Sequence, residues 1–139
     1  MRLIASLVLM AFSVIASAEG WLCVAEIEGG FDYDKATKSW VHKNFKASAK
    51  YLIRRPERKG NEWVVVAVGE SVPVFYCGEG IDEQGNLSCE GWAGNFRFNS
   101  QKLKFAASST YPYFAQLELF TKDERPDSMW IGAGLCTAI

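Results

Sequence analysis

One imidazole, four thiols, two pairs of alternating carboxylates and a dense run of bases are the groups in this 139-residue chain that could do chemistry. His42 is the only histidine, so any Ser-His-Asp or Cys-His arrangement would have to use it. It lies in Trp40-Val41-His42-Lys43-Asn44, and the chain holds no G-x-S-x-G elbow to present a nucleophile. His42 therefore reads as a strand-surface residue, and no catalytic residue is assigned. The acids Glu26/Glu28 and Asp32/Asp34 have i, i+2 spacing, which puts both members of a pair on one face of a strand. A carboxylate-dependent hydrolase needs two such groups flanking a cleft, about 5–9 Å apart. These acids alternate with apolar residues, however, so their expected place is a solvated face. Asp32-x-Asp34 opens like a calcium loop but lacks its glycine and terminal glutamate. No C-x2-C pair seeds a zinc site. The expectation is no metal and no cofactor.

The bases carry more information. Residues 19–34 hold five acids and no base; residues 35–59 hold nine bases and one acid, Glu57; residues 60–96 hold six acids and no base. In a chain of formal charge −1 this segregation predicts a local positive field, even though the total rules out a bulk polyanion binder of the histone type. The candidate binding residues are Lys43, Lys46, Ser48, Lys50, Arg54, Arg55, Arg58 and Lys59. Arginines would supply bidentate contacts to phosphate or carboxylate, and lysines point charges.

The elements that must position these groups begin after residue 18. Arg2 followed by Leu3–Ile15, apolar apart from Ser6 and Ser13, and then Ala16-Ser17-Ala18, has the three parts of a secretory signal peptide. The apolar run is shorter than the roughly 20 residues of a membrane span, and no other run is long enough. Residues 1–18 are thus expected to be removed, leaving 19–139 as a single domain in the periplasm or secreted medium. All four cysteines remain, and an even number in an exported chain of this size reads as two disulfides. Three pairings are possible; the favoured one joins Cys77 to Cys89 across a Gly-rich turn and Cys23 to Cys136, tying the first strand to the last.

Hydrophobic periodicity is two rather than 3.6. Cys23, Ala25 and Ile27 alternate with Glu26 and Glu28, Phe31 and Tyr33 with Asp32 and Asp34. Phe96, Phe98, Leu103 and Phe105 form the inner positions of two strands joined at Asn99–Gln101, and Ala115–Leu119 alternates in the same way. Trp63–Val68 is apolar on both faces and suits a central or doubly covered strand. Turn signals fall at Gly29-Gly30, Asp34–Lys38, Arg55–Asn61, Gly69–Ser71, Gly78–Asn86, Asn99–Gln101, Ser108–Thr110 and Lys122–Ser128, while Lys43–Lys50 has room for a helical turn or two at most. The expected fold is all-β: an antiparallel barrel, or a sandwich, of about eight short strands. Five tryptophans are spread one per segment, mostly as core, with Trp92 in Gly91-Trp92-Ala93-Gly94 the best candidate for exposure.

Several motifs resemble a group of small exported bacterial proteins of unknown function: Trp21-Leu22-Cys23-Val24-Ala25-Glu26, Gly30-Phe31-Asp32-Tyr33-Asp34 with Trp40, Lys50-Tyr51-Leu52-Ile53, Asn95–Asn99 with Leu103 and Phe105, and Ile131-Gly132-x-Gly134-Leu135-Cys136. Separately, Ala47-Ser48-Ala49-Lys50-Tyr51 is similar to the Ser-Gly-Ala-basic-Tyr loop of periplasmic inhibitors of C-type lysozyme, small disulfide-stapled barrels whose loop enters the enzyme cleft. This sequence lacks the loop's glycine, places Ser48 one residue nearer the base, and has no identifiable second lysine loop. The resemblance implies a non-enzymatic binding or inhibitor module. Its partner would be an anionic envelope polymer or a lysozyme-like enzyme, with no nucleic acid and no membrane span. A carboxylate hydrolase and a purely structural envelope protein are the competing classes.

Overall fold

The structure, a computed structural model, describes residues 20–57, 60, 62–91, 94–110 and 128–139. The expected leader, Arg58, Lys59, Trp92 and the Ala115–Leu119 alternation lie outside these residues. Nine strands are present among them: β1 (Gly20–Asp34), β2 (Ser39–Phe45), β3 (Lys50–Arg54), β4 (Trp63–Ala67), β5 (Pro73–Cys77), β6 (Asn86–Gly91), β7 (Gly94–Asn99), β8 (Lys104–Ser109) and β9 (Ser128–Ala138). Every pairing is antiparallel. Strand β1 pairs with β3 and the remaining strands follow in sequence to β9, which returns to β1 and closes an eight-stranded barrel. Closure leaves the barrel wall without a free edge.

The ninth strand is an addition. Strand β1 is long enough to serve two partners on one side: its first half pairs with β3, from Gly20↔Arg54 to Val24↔Lys50, and its second half with β2, from Glu28↔Phe45 to Asp34↔Ser39. On its other side β9 follows it over both halves. The result is a three-stranded ribbon, β2–β1–β9, standing above one rim of the barrel. We call that rim the upper end and the rim holding Gly20 and Ala138 the lower.

Alternation fills the interior. Cys23, Ile53, Val65, Cys77, Leu87, Cys89 and Phe96 are completely buried, and Phe98 and Phe105 nearly so. The aromatic residues form two layers. Trp21 meets Trp63 and Phe98 near the lower end, each at 5.0 Å between ring centres. Above them Tyr51 packs edge-on against Phe75, Phe96 and Phe105. The disulfides are Cys23–Cys136 and Cys77–Cys89, the favoured pairing. They cross very different seams. Strands β1 and β9 share an eleven-pair register, whereas β5 and β6 share the single pair Tyr76↔Glu90, immediately beside Cys77–Cys89.

Four local expectations are corrected. Gly29-Gly30 is no turn: β1 runs straight through it. A Cβ on Gly30 would lie 2.0 Å from the Met129 carbonyl oxygen, so the glycine is there to let β9 approach. Residues 43–50 contain no helical turn, only the end of β2, an extended link and the start of β3. Leu103 faces out, 37% exposed, because it takes a left-handed φ of 52° in the turn closed by the Asn99 carboxamide, and the inward phase resumes only at Phe105. Strand β8 also continues to Ser109, through the turn expected at residues 108–110. The two-faced apolar strand is borne out: Val64, Val65 and Val66 are all buried.

Candidate functional site

The β2–β3 path carries the described part of the basic block, and its alternation decides which bases reach solvent. Tyr51 and Ile53 point into the barrel, so Lys50, Leu52 and Arg54 of β3 point away from it. Lys46, Ser48 and Lys50 are exposed and separated by the half-buried Ala47 and Ala49. They form an exposed row along the link between β2 and β3. Neither lysine makes an ion pair among the described residues. Arg54 continues the row, but its guanidinium lies 3.9 Å from Glu57 and donates to the Arg55 carbonyl.

The other candidate bases do not join this row. Lys43 is odd-numbered and sits on the opposite face of the ribbon, its Nζ 2.6 Å from Asp32 Oδ2. The other Asp32 oxygen accepts the Ser128 hydroxyl proton, so this one carboxylate links all three ribbon strands. Hydrogen bonds from Lys43 and then Ser128 hold the Asp32 carboxyl below the usual carboxylate range. Arg55 lies over the Trp63 ring at 4.1 Å and donates to the Glu62 carbonyl, which closes the lower end of the barrel. His42 is exposed on β2 with its ring edge-on to Phe31. Asp34 accepts the Ala36 amide and the Thr37 hydroxyl and so shapes the turn between β1 and β2; these bonds lower its pKa too.

The carboxylate pair Glu26/Glu28 is split. A bulge between Ala25 and Ile27 shifts the register of β1 against β9. Ile27, expected inside, is 68% exposed, and Glu28, expected outside, turns toward the upper end of the barrel. There Glu28 Oε1 accepts the amides of Ser48 and Ala49 at 3.2 and 2.7 Å, pinning the link between β2 and β3. The outward row therefore rests on a carboxylate anchored beneath it.

Glu28 also opens onto a cleft of about 410 Å³ lined by Phe45, Lys46, Ser48, Ala49, Tyr51, Ser128 and Trp130. A second cleft of about 780 Å³, lined among others by Glu70, Phe75, Ser108 and Ser109, meets it at Tyr51 and Trp130. Tyr51 is only 7% exposed, yet its hydroxyl makes no hydrogen bond among the described residues. Burial, reinforced by the Glu28 charge, pushes its pKa up to about 12. Sequence reasoning missed Glu28, Tyr51 and Trp130 as a group, because nothing in the residue pattern marks the bulge. Its nearest trace is Gly29-Gly30, which signals a close backbone approach as well as it signals a turn.

Among the described residues no cluster of three or more His, Cys, Asp or Glu could hold a metal ion, and no helix is long and apolar enough to cross a membrane. Comparisons with protein-family models, with curated proteins and with solved structures find no match to this chain.

Proposed function

We propose that this chain is a small exported protein of the bacterial envelope that acts without catalysis. In this reading it is a binding or inhibitor module whose Lys46–Ser48–Lys50 row engages the acid-lined cleft of a glycan-cleaving enzyme of the C-type lysozyme class. One observation carries the reading: these two lysines are the exposed bases of β2–β3 with no ion-pair partner among the described residues, they flank an exposed serine, and Glu28 holds the backbone amides of the link between them. Lys43, Arg54 and Arg55 are each engaged inside the molecule. A narrow three-residue row suits a discrete acidic cleft better than an extended polyanion, which would draw on many free bases at once. Export, with removal of residues 1–18, is part of the proposal. Two disulfides in so small a barrel fit an oxidising compartment.

The test is a titration of the mature chain against a C-type lysozyme at low and high salt, repeated with Lys46→Ser/Lys50→Ser. Binding should weaken steeply with salt, since exposed charges are screened over about 8–10 Å at physiological ionic strength. The double variant should bind at least tenfold more weakly. Equal affinity in the variant, no binding at low salt, or selective binding to lipopolysaccharide instead overturns the proposal.

A further inference from the structure

The upper end of the barrel is built as a small-molecule site. Its first cleft, about 410 Å³, falls within the range of roughly 300–1,000 Å³ typical of such sites. Two features distinguish it from an incidental hollow. Tyr51 is 7% exposed, lines both clefts, and its hydroxyl has no hydrogen-bond partner among the described residues. Buried polar atoms are almost always satisfied, and an unsatisfied one marks the place where something else binds. Beside it, Glu28 spends Oε1 on two backbone amides and leaves Oε2 without a partner among the described residues. The two groups lie against the half-buried Trp130 indole, which lines both clefts.

The lining selects the ligand. An acyl chain needs depth, and the barrel below Tyr51 is filled by Phe96, Phe98 and Phe105. An anion would meet two carboxylates, Glu28 and, in the adjoining cleft, Glu70, against a single base among the described residues, Lys46. A ligand with an apolar flank for the indole and donors on its edge for Tyr51 and Glu28 matches what remains. We propose that this cleft binds a single amino-substituted sugar ring, with Trp130 against its C–H face and Tyr51 and Glu28 taking its polar edge. The site shares Lys46 and Ser48 with the lysozyme reading, while Tyr51, Glu28 and Trp130 belong to it alone and Lys50 to the other, so variants at these residues separate the two.

Glucosamine is the probe and glucuronate the control, followed by amide and indole resonances of the isotope-labelled mature chain. Glucosamine should shift Ser48, Ala49 and the Trp130 indole, and glucuronate at equal concentration should not. Tyr51→Phe keeps the buried ring, and Glu28→Gln keeps an oxygen for the Ser48 and Ala49 amides; each should weaken binding by about 2- to 10-fold, the worth of one hydrogen bond. No shifts with glucosamine, equal shifts with glucuronate, or an affinity unchanged in either variant overturns the assignment. Lys50→Ser, which removes a base that lines neither cleft, should leave glucosamine binding in place while weakening lysozyme binding.

Discussion

At the lower end of the barrel Trp21, Trp63 and Phe98 stack into one another, and Arg55 lies across Trp63 with its N–H on the Glu62 carbonyl. At the upper end Tyr51 has equally good ring neighbours, but its hydroxyl and one oxygen of Glu28 have no partner among the described residues, and Trp130 lines open space. Both ends use the same kinds of residue. The groups named at the lower end are engaged with one another and serve stability; those at the upper end include polar atoms without a partner among the described residues. That contrast separates a plug from a socket within one small core.

The contrast breaks most visibly at Phe98. Phe98→Ala removes a ring that touches Trp21 and should cost about 3–5 kcal/mol, read as a large fall in the thermal midpoint. An unchanged midpoint would mean that the lower layer is not a plug. Arg55→Ala should cost about 0.5–1 kcal/mol, the worth of an exposed cation–π contact, measured by chemical denaturation. The ribbon above the upper end should respond to acid before the barrel does. Asp32 and Asp34 have lowered pKa values in the folded state, so their stabilisation is complete above the ordinary carboxylate pKa and disappears as pH falls through the lower folded values. Protection of the β2 amides, measured relative to the intrinsic exchange rate at each pH, should therefore fall on acidification while that of β7 does not. The smallest effect is expected at Tyr51. Removing an unpartnered buried hydroxyl with Tyr51→Phe should leave stability unchanged or slightly raised, because no hydrogen bond is lost and a desolvated polar group is removed. A loss above about 1 kcal/mol would show that the hydroxyl is satisfied in solution and that the upper end is closed as well.

Much of the barrel was legible in the residues. Period-two alternation placed Cys23, Phe96, Phe98 and Phe105 inside, and the cysteine positions led to the observed pairing. The errors of side-chain orientation share one physical cause: strand phase is a local count that a single irregular residue resets. The bulge at Ala25–Ile27 inverted Ile27 and Glu28, and the left-handed Leu103 carried that side chain out of the barrel. The candidate site was harder to read for the same reason. Composition located the basic block, but only cross-strand register shows that Lys43 faces Asp32 while Lys46 and Lys50 face solvent. The Tyr51–Glu28 pairing joins residues from two strands across that bulge and has no signature along the chain.

The Cys23–Cys136 bond joins residues 113 positions apart, near the two ends of the described chain. Covalently, the barrel is therefore a closed loop with short tails. One peptide-bond cut anywhere between Val24 and Leu135 would give two fragments that migrate as a single species until a reductant is added. Such a molecule can tolerate a protease's first cut without falling apart. The same loop offers new termini: a circularly permuted chain opened in the turn between β7 and β8 would preserve every cross-strand register and keep Cys23 facing Cys136.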